Sequence, residues 1–422
     1  MSNAVPSGWQ LLTIDDFAKT SAGGTPNTQV PEYWENGSIP WMSSGEVHKK
    51  RVKNVNQSIT ELGFRNSSAK LFPVGTILVA LAGQGKTRGT VAISEIELTT
   101  NQSIAGVIVE NKAVHPDYVY QNLDSRYEEL RAASGGSGRA GLNLAIIGEQ
   151  QLMLPPLPEQ QKIAAILSSV DDVIEKTRAQ IDKLKDLKTG MMQELLTKGI
   201  GHTEFKDSPV GRIPASWDVR YISDLCSNIV DCVNKTAPVV DHVTPYRMIR
   251  TTNVRNGRIV MDGMRYVSQK TFQSWSRRLA LKAGDLIFTR EAPVGECGLV
   301  RDAKGLFLGQ RTMVYRAASE KLDSGFLLWS MLSEYCQNQI EDLSGGSTTP
   351  HLRVPDCGKI LLKVPPLAEQ RGISSAIQSV ATLLEERETK VAHLTGLKKA
   401  LMQDLLTGKV RVNVGENETA VA

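Results

Sequence analysis

The chain carries one element twice, and this duplication limits what the sequence can fold into. The first copy reads LPPLPEQQKIAAILSSV from Leu154 and ends with QELLT at Thr197. The second reads VPPLAEQRGISSAIQSV from Val364 and ends with QDLLT at Thr407, and the two copies align without a gap. A longer stretch, in which the resemblance is far weaker, precedes each copy. A constant element repeated after variable ones indicates a tandem protein that performs two similar tasks on two different targets.

Both copies show the periodicity of a long helix that buries one face. Apolar residues recur about every 3.5 residues over about four heptads, which is typical of a coiled coil. The positions in the first copy are Ile163, Leu167, Val170, Ile174, Thr177, Ile181, Leu184, Lys188, Met191 and Leu195. Those in the second copy are Ile373, Ile377, Val380, Leu384, Arg387, Val391, Leu394, Lys398, Leu401 and Leu405. The polar positions of the two series coincide, which favours pairing of the two helices with each other. Two helices that pack separately on their own domains remain the alternative.

The ends of these predicted helices are marked in the sequence. Pro158 lies where a first-turn proline is tolerated, and Glu159 suits the positive end of the helix dipole. Gly199 and Gly408 follow the last periodic residues as stop signals. At a rise of 1.5 Å per residue, each helix would be about 55–60 Å long.

Length and composition favour a multi-domain protein without a membrane span. The 422 residues suffice for two or three domains, and no apolar run approaches the roughly 18 residues that a span needs. The five cysteines include no C-x-x-C pair, and the first residues lack the pattern of a signal sequence. We therefore expect a cytoplasmic protein with no membrane partner. The net charge of +4 permits a nucleic-acid partner without establishing one.

The two variable stretches are related to each other more faintly. The matched segments are Val5–Trp9 with Ile213–Trp217, Ser38–Val47 with Pro245–Val254, Phe72–Leu81 with Leu281–Arg290, and Thr99–Val109 with Phe307–Ala317. Short β-branched runs after glycine turns predict strands. Two longer segments, which lead into Ser-Gly-Gly-Ser loops at Ser134–Ser137 and Ser344–Ser347, predict helices. Each variable stretch is therefore predicted to form an α/β (α+β) domain.

One segment has the appearance of a nucleotide-binding loop. Ala80–Thr87 (ALAGQGKT) nearly fits the pattern G-x-x-x-x-G-K-[ST], but an alanine replaces the first glycine. The residues that follow predict a turn and a strand, where the motif requires a helix to bind phosphate. We interpret the segment as a glycine-rich loop that presents Gln84, Lys86 and Arg88 to an anionic surface.

The sequence contains no constellation that predicts catalysis. The six histidines lack metal-ligand spacing, and Cys226, Cys232 and His242 do not form a zinc pattern. No nucleophile elbow or dinucleotide fingerprint is present, and both Pro-Pro pairs precede Leu rather than the aromatic residue of amino-methyltransferases. We therefore predict no catalytic, cofactor-binding or metal-binding residue, and a recognition or scaffolding role rather than an enzyme.

At these motifs the chain resembles the specificity subunit of Type I restriction–modification systems. The tandem PPLPEQQKIAAIL…QELLT and PPLAEQRGISSAI…QDLLT elements look like the two conserved helical regions of that family. Gly23–Val47, the connector EFKDSPVGRIPASW and the SGGST loop at Ser344 are also similar. The resemblance covers essentially the whole chain. It is weakest at Arg139–Asn143, where the first domain departs from the TTPHLR of the second.

The resemblance implies an architecture and a set of partners. Two tandem target-recognition domains would each read one half of a bipartite double-stranded DNA sequence. Two long helices would join them as an antiparallel, pseudo-two-fold coiled coil that sets the spacer. The partners would be two methyltransferase subunits, which use S-adenosylmethionine, and two restriction (translocase–nuclease) subunits, which use ATP and magnesium. This chain itself would bind no cofactor.

The predicted domains follow the duplicated pattern. Their limits are residues 1–155 for the first target-recognition domain, 156–199 for the central helix, 200–365 for the second target-recognition domain with its connector, 366–410 for the C-terminal helix and 411–422 for a flexible tail.

Residues on turns and strand ends are the candidates for contact with DNA. In the major groove, Arg and Lys recognise guanine and Asn and Gln recognise adenine, while phosphate contacts position the protein. The candidates in the first domain are Ser43, Ser44, Lys49, Arg51, Gln84, Lys86, Arg88, Asn101 and Gln102. Those in the second domain are Arg250, Asn253, Arg255, Arg290, Gln310, Arg311 and Arg353. For each residue alone, an ordinary solvated surface position is the alternative.

Two other functions would explain part of the sequence. A coiled-coil adaptor that binds protein without reading a sequence would keep the helices, but it would not need Gly-flanked Arg, Gln and Lys loops in both domains. A stand-alone enzyme that uses a nucleoside triphosphate would depend on Lys86, and the strand predicted after that loop argues against it.

Overall fold

The computed structural model describes residues 5–83, 85–133, 142–345 and 350–414, which form two compact units. Unit 1 combines Met1–Thr177 with Lys390–Ala422, and unit 2 is Arg178–Thr389. Several sequence predictions concern residues that lie wholly or partly outside the described ranges, namely Gln84, the loop Ser134–Ser137, the segment Arg139–Asn143, the loop Ser344–Ser347 and the flexible tail. The predicted domain limits stay a prediction.

Unit 1 combines short strands with helices. Its strands are β1 (Gln10–Thr13), β2 (Ala18–Ala22), β3 (Ile39–Met42), β4 (Arg51–Val52), β5 (Gln57–Ile59), β6 (Ile77–Ala80), β7 (Val91–Ser94), β8 (Thr99–Thr100), β9 (Ile104–Val109) and β10 (Gln151–Leu154). Its helices are α1 (Glu61–Arg65), α2 (Pro116–Ser125), α3 (Tyr127–Ala133), α4 (Leu144–Gly148) and the first part of α5 (Leu157–Leu195). The main sheet has the order β2-β9-β6-β7-β4, and smaller sheets have the orders β5-β3-β8 and β1-β10.

Unit 2 begins within α5 and repeats this mixture. Its strands are β11 (Phe205–Lys206), β12 (Ile213–Pro214), β13 (Asp218–Tyr221), β14 (Cys226–Asp231), β15 (Arg247–Ile249), β16 (Val254–Arg255), β17 (Arg258–Ile259), β18 (Arg265–Tyr266), β19 (Leu286–Arg290), β20 (Val294–Leu299), β21 (Leu306–Leu308), β22 (Thr312–Ala317) and β23 (Leu361–Val364). Its helices are α6 (Ile222–Leu225), α7 (Gln269–Ser276), α8 (Ser324–Met331), α9 (Glu334–Leu343) and the first part of α10 (Leu367–Leu405). The sheets have the orders β14-β22-β19-β20, β18-β15-β21, β16-β17, β13-β23 and β11-β12.

The two units share one strand topology, as the faint similarity of the variable stretches predicts. In unit 1, β6 pairs antiparallel with β7 and β9, and in unit 2, β19 pairs in the same way with β20 and β22. A second group also repeats, because β3 runs parallel to β8 and antiparallel to β5, as β15 does to β21 and β18. The predicted α/β (α+β) class with two tandem domains is confirmed.

The two long helices run antiparallel to each other where they pack. In unit 1, Ile163 and Leu167 of α5 share a core with Met402 of α10, and Lys398 Nζ lies 2.8 Å from Asp171 Oδ1. The chain therefore advances along α5 while it returns along α10. In unit 2, the last turns of α5 share a core with the first turns of α10. All the predicted seam positions are buried or partly buried, so the pairing of the helices is confirmed.

The helix ends lie where the sequence predicts them. Each helix has 39 residues, or about 58 Å at 1.5 Å per residue. Pro158 lies in the first turn of α5. Gly199 and Gly408 have φ angles of 70° and 69°, a left-handed conformation that stops a helix and that glycine adopts without a Cβ clash.

One coincident polar position of the seam is occupied by lysine in both helices, with different partners. Lys398 forms ion pairs with Asp171 and, at 3.5 Å, with Asp124. Lys188 instead places its ammonium 5.6 Å from the ring centre of Trp329. Burial lowers the pKa of the Lys188 ammonium, and the nearby Arg258 guanidinium lowers it further. The duplicated helices therefore keep the residue type while each unit supplies its own partner.

The glutamine of each PPLxEQ motif attaches the long helix to the domain of its own unit. Its side chain accepts one backbone N–H and donates to two backbone carbonyls, so that both ends of the amide are bonded. The partners of Gln160 are His115 N (2.8 Å), Ala113 O (3.0 Å) and Pro155 O (2.8 Å), and those of Gln370 are Asp323 N (2.9 Å), Lys321 O (3.1 Å) and Pro365 O (2.9 Å). This identical bonding explains why the motif is present twice.

The glutamate of the motif binds the tryptophan that opens each domain. Glu159 accepts a hydrogen bond from the Trp9 indole at 3.3 Å and forms a two-pronged pair with Arg411, whose Nε and Nη2 both lie 2.7 Å from its oxygens. Arg411 also donates to Ser7 O, and its guanidinium lies 5.6 Å from the centre of the Trp9 ring. Arg411, six residues beyond the end of α10, thereby holds the first segment of unit 1.

Unit 2 repeats this junction with a different third partner. Glu369 accepts from the Trp217 indole at 3.1 Å and from Ile200 N at 3.0 Å, and its Oε1 lies 2.8 Å from His202 Nε2. Histidine thus stands in unit 2 where unit 1 uses Arg411. The junction explains the recurrence of the P-x-x-W and PPLxEQ motifs, because each supplies one half of a buried hydrogen bond.

We expect Glu159→Ala to destabilise unit 1. The carboxylate is 4% exposed, and its loss leaves the Arg411 charge and the Trp9 indole without their acceptor, at a cost of about 3 kcal/mol. Urea unfolding followed by tryptophan fluorescence measures the free energy of unfolding. Glu175→Ala, at an exposed position of the same helix, is the control. Equal unfolding free energies for the two variants would contradict the proposed importance of the junction.

Candidate nucleic-acid interface

Backbone hydrogen bonds bring the candidate loops of unit 1 together. Asn101 N donates to Met42 O at the end of β3, and Leu81 N, just after β6, donates to Ser103 O. Leu81 O in turn accepts from Leu142 N. The segments that follow β3, β6 and β8 therefore lie side by side, together with the residues before α4.

The same bonds recur in unit 2 at the matching residues. Gly309 N donates to Ile249 O, Arg290 N donates to Arg311 O, and Leu352 N donates to Arg290 O. The loops that carry the predicted residues thus converge in both units. The register also agrees with the sequence alignment of the variable stretches, since each bond joins corresponding positions.

A glutamine lies at the same point of this loop cluster in each unit. Gln102 and Gln310 are exposed, and each accepts a hydrogen bond from a threonine, Thr25 Oγ1 at 2.6 Å and Thr236 Oγ1 at 3.1 Å. The bond restrains an amide that could otherwise rotate freely. Sequence reasoning missed both threonines. Their signal was a threonine shortly before a proline at the start of each variable stretch, in GGTPNT and NKTAPV.

The glycine-rich loop of unit 1 is held by helix α3. Tyr127 Oη donates to Lys86 O at 3.0 Å, and Arg131 Nη1 donates to Gly85 O at 2.6 Å. Lys86 itself is exposed at the rim of a depression of about 830 Å³ that Ser44 also lines. The loop leads into strand β7, so the helix that a nucleotide-binding loop needs is replaced by a strand.

The candidate Lys49 holds a turn in place through its own side chain. After β3, Lys49 Nζ lies 2.7 Å from Glu46 Oε1 and also donates to Asn54 O, while the Ser43 and Asn56 amides donate to the same carboxylate. Burial acts to raise the pKa of the Glu46 carboxyl, but these hydrogen bonds outweigh it and leave that pKa below its usual value. Lys49 is thus used within the turn that follows Ser43 and Ser44.

In unit 2, the candidate Asn253 occupies the position that corresponds to Glu46. It is 3% exposed, accepts from Arg250 N, and donates to Val260 O and Asp262 O. Its amide is therefore fully used inside the domain, and the neighbouring Arg250 and Arg255 are the side chains that reach the surface. Asn253 thereby holds the backbone of Arg250 in place, and its own contact with DNA stays a prediction.

The arginines around the β19–β22 edge differ in exposure. Arg290 is 16% exposed, with its Nε 3.0 Å from Asp231 Oδ1 and its Nη1 donating to Leu352 O. Arg311 is 48% exposed and 3.5 Å from Glu291, and its φ of 69° is a left-handed conformation that side chains other than glycine rarely adopt. Such a conformation is often found at functional sites.

The remaining candidates divide in the same way. Arg51 is turned against helix α5 and is 18% exposed, whereas Arg353 is 71% exposed and paired with Asp356 at 2.8 Å. The described candidates other than Lys49, Arg51, Asn253 and Arg290 are also exposed or partly exposed, namely Ser43, Ser44, Lys86, Arg88, Asn101, Gln102, Arg250, Arg255, Gln310, Arg311 and Arg353. Contact of any of them with DNA stays a prediction.

Among the described residues, no group of three or more His, Cys, Asp or Glu side chains is arranged to hold a metal ion. Burial raises the pKa of the Cys336 thiol to about 12 and that of Cys357 to about 11, so these thiols are protonated at neutral pH. Within the described ranges, no helix has an apolar stretch long enough to cross a membrane.

Comparison with known proteins gives consistent matches over most of the chain. A family model described as the Type I restriction modification DNA specificity domain matches residues 6–186 and 214–393. The chain is 27% identical over 432 residues to the Type I restriction enzyme MjaVIII specificity subunit of Methanocaldococcus jannaschii, covering 97% of this chain and 94% of that protein. Its fold is similar to the S subunit of a Type I restriction–modification system from M. genitalium, with a TM-score of 0.64, 14% identity and 96% and 97% of the two chains covered. Its fold is also similar to a chain in a structure that describes the complex assembly and conformational transition of the type I R-M system. The TM-score is 0.51 at 16% identity, and the match covers 96% of this chain and all of that one.

Proposed function

Because this chain belongs to the family of Type I restriction–modification DNA specificity proteins, we propose that it selects the DNA sequence on which a methyltransferase complex acts. Each unit reads one half of a bipartite double-stranded target. The chain works in the cytoplasm and is not an enzyme by itself. Two methyltransferase subunits supply S-adenosylmethionine chemistry on adenine, and two restriction subunits supply the ATP- and magnesium-dependent steps.

The observation that carries this proposal is the convergence of the same loops in both units with different side chains. A shared scaffold places Gln102 and Gln310 at one equivalent point, while Ser103 in unit 1 corresponds to Arg311 in unit 2. Corresponding positions of the two units carry different hydrogen-bonding groups, which suits recognition of two different DNA sequences. The target therefore need not be a palindrome. An adaptor that binds protein would not need this repeated polar cluster.

The exposed candidates differ in the DNA groups that their side chains suit. The amides of Gln102 and Gln310 suit adenine, and the guanidinium groups of Arg311 and Arg353 suit guanine or phosphate. Lys86, on the loop held by α3, carries a point charge suited to phosphate. Lys49, Arg51, Asn253 and Arg290 support the loops rather than contact bases, since their polar groups already have partners within the domain.

Helices α5 and α10 set the spacer between the half-sites and dock the methyltransferase subunits. Their sequences are the constant part of the chain, so a partner that recognises one copy also recognises the other. Two equal docking surfaces account for two methyltransferase subunits per chain.

The proposal is tested by co-expressing the full chain with a Type I methyltransferase subunit and mapping methylated adenines by single-molecule sequencing. We expect a split motif with an unread spacer. The purified chain alone, incubated with S-adenosylmethionine or ATP and duplex DNA, should neither methylate nor cleave. Methylation, cleavage or ATP turnover by the chain alone would contradict the proposal, as would methylation without a split motif.

Arg311→Ala should weaken binding to the second half-site only. A side chain that bonds a base on two atoms contributes about 1–3 kcal/mol, so discrimination at one base pair should fall by roughly 5- to 150-fold. Binding to DNA variants of each half-site, measured by fluorescence anisotropy, tests this. Arg212→Ala, an exposed connector residue, is the control. An equal loss of affinity for all sequences would assign Arg311 to a phosphate.

A further inference from the structure

Arg51 of strand β4 and Arg258 of strand β17 occupy the same position in the two units. The ungapped alignment of Ser38–Val47 with Pro245–Val254, continued by four residues, pairs them. The strand neighbours agree, because Arg51 pairs with Ile93 of β7, and Gly257, just before Arg258, bridges to Gly298 of β20. The sequence alone gave Arg258 no role.

Both arginines extend from the domain to the long helix on which the domain is built. Arg51 Nη2 donates to Ser168 Oγ of α5 at 2.9 Å and also binds Asp117, while its Nη1 lies 3.1 Å from Glu95 Oε1. The guanidinium is 5.8 Å from the ring centre of Tyr120. This side chain therefore ties strand, neighbouring domain residues and helix together.

Arg258 makes the corresponding attachment to α10. Its Nη2 donates to Ala381 O at 3.3 Å, its Nε lies 3.6 Å from Glu385 Oε2, and its Nη1 lies 3.7 Å from Glu388 Oε2. All three partners belong to the helix, so the contact joins domain and helix directly. The arginine occupies the same position in both units, whereas its partners on the helix differ.

Beyond the motif residues and the shared apolar core, each domain therefore has a further polar attachment to its helix, at the arginine. The glutamine of the PPLxEQ motif lies near the start of the helix, and the arginine contact lies farther along it. Along α5, Gln160 and Ser168 are about 12 Å apart by the rise of 1.5 Å per residue, and along α10, Gln370 and Ala381 are about 17 Å apart. A directional polar contact away from the motif restrains tilting of the domain along the helix more than apolar packing alone does, because its hydrogen bonds weaken when the donor and acceptor move apart.

We infer that Arg51 and Arg258 are positioning residues that fix the angle between each recognition domain and its long helix, and thereby the spacer length at which both half-sites are bound together. This inference rests on the proposed function. A domain of about 150 residues has a radius of gyration of about 15 Å and is therefore about 39 Å across, so a tilt of about 5° about its attached side moves its far surface by about 3.4 Å. One base pair rises 3.4 Å along a strand, which makes small tilts comparable to one step of spacer length.

Arg258 is the clearer site for a test, because Arg51 is more buried. Their side chains are 30% and 18% exposed, and Arg51 also neutralises two carboxylates of its own domain. Arg258→Ala removes the attachment from the domain side. The double variant Glu385→Gln with Glu388→Gln removes its ion pairs from the helix side, without any change in the recognition domain. Arg301→Ala is the matched control, since Arg301 is 70% exposed and makes a single 3.7 Å contact with Glu385.

The readout is methylation by the full chain in complex with its methyltransferase subunits. The DNA set keeps both half-sites and varies the spacer in steps of one base pair. We expect the wild type and Arg301→Ala to prefer one spacer, and both test variants to gain about tenfold on spacers one base pair away, a change within the range of a single base-pair mismatch. The two half-sequences should stay unchanged.

The outcomes separate this inference from the proposed function. If the wild type methylates no split sequence, the proposed function fails. If it does, but neither Arg258→Ala nor the double glutamate variant broadens the spacer preference, the positioning role is wrong. Equal broadening in Arg301→Ala would also overturn it, because loss of any nearby positive charge would then suffice. In unit 1, Arg51→Lys against Lys53→Ala, a residue 58% exposed and 3.9 Å from Glu95, repeats the comparison.

Discussion

Exchange of Asp218–Val364 for the matching segment of a relative is expected to change one half of the recognised sequence completely and leave the other half intact. The segment carries the loops that converge in unit 2 and none of those in unit 1. Binding to the original second half-site should fall by about a thousandfold or more, since specific binding exceeds non-specific binding by at least that factor.

The structure dictates where the exchange should begin and end. Strands β13 and β23 pair with each other, Asp218 opposite Val364, so both must come from the same parent. Trp217 stays with the recipient, because its indole donates to Glu369 in the constant helix. The donor should also carry an arginine at the position of Arg258, so that its attachment to α10 is kept.

Methylated adenines mapped in cells that express the chimera with the methyltransferase subunit give the result. Exchange of the connector Phe205–Pro214 alone is the control and should alter neither half-sequence. Loss of both half-sequences in the chimera, with the methyltransferase still bound, would argue against independent readers.

Insertion of four residues into each long helix should lengthen the unread spacer. If the helices continue through the inserts, each grows by about 6 Å at 1.5 Å per residue, equivalent to one or two base pairs at 3.4 Å each. Binding to the original spacing should fall by roughly a hundredfold, because the two half-sites can no longer be occupied together without distortion. Both half-sequences should remain as they are.

The inserts belong after Thr177 and after Thr389, where the helices pass from one unit to the other. A position after Leu196 is unsuitable, because α5 ends at Leu195 and Leu196 is buried in the core of unit 2. Each inserted residue rotates the helix by about 100°, so four residues leave it about 40° past a full turn and three leave it about 60° short of one. Three inserted residues should therefore harm activity more than four. A variant with four residues added in the turn Ser208–Gly211 is the control. Full activity at the original spacing after both helix insertions would be incompatible with a helical ruler.

The helices and their pairing could be predicted because the information is local and repeated. Periodic apolar residues, Pro158 and the stop glycines all act within a few turns, and the duplication supplied an internal comparison. The parallel pairing of β3 with β8 could not be predicted, since it joins residues nearly sixty positions apart through short strands with little pattern of their own.

The candidate loops could be predicted better than the side chains that line them. Arg, Lys and Asn at strand ends have the same appearance in sequence whether they face solvent or an acid of the same domain. The partners of Arg290 and Arg51, Asp231 and Asp117, are 59 and 66 residues away. Only the fold brings them together. For the same reason, the roles of Arg258 and Arg411 could not be predicted from the sequence.

The junction at Glu159 has a consequence for how the chain folds as it is synthesised. Unit 2 is one continuous stretch, but the core of unit 1 includes Met402 and Leu406, and its first segment is held by Arg411. These residues leave the ribosome later than all of unit 2. The domain made first is therefore the one completed last, and it must wait, with part of its apolar core exposed, while more than two hundred residues are translated. A chain cut short before Lys390 would therefore contain a unit 2 that can close and a unit 1 that cannot.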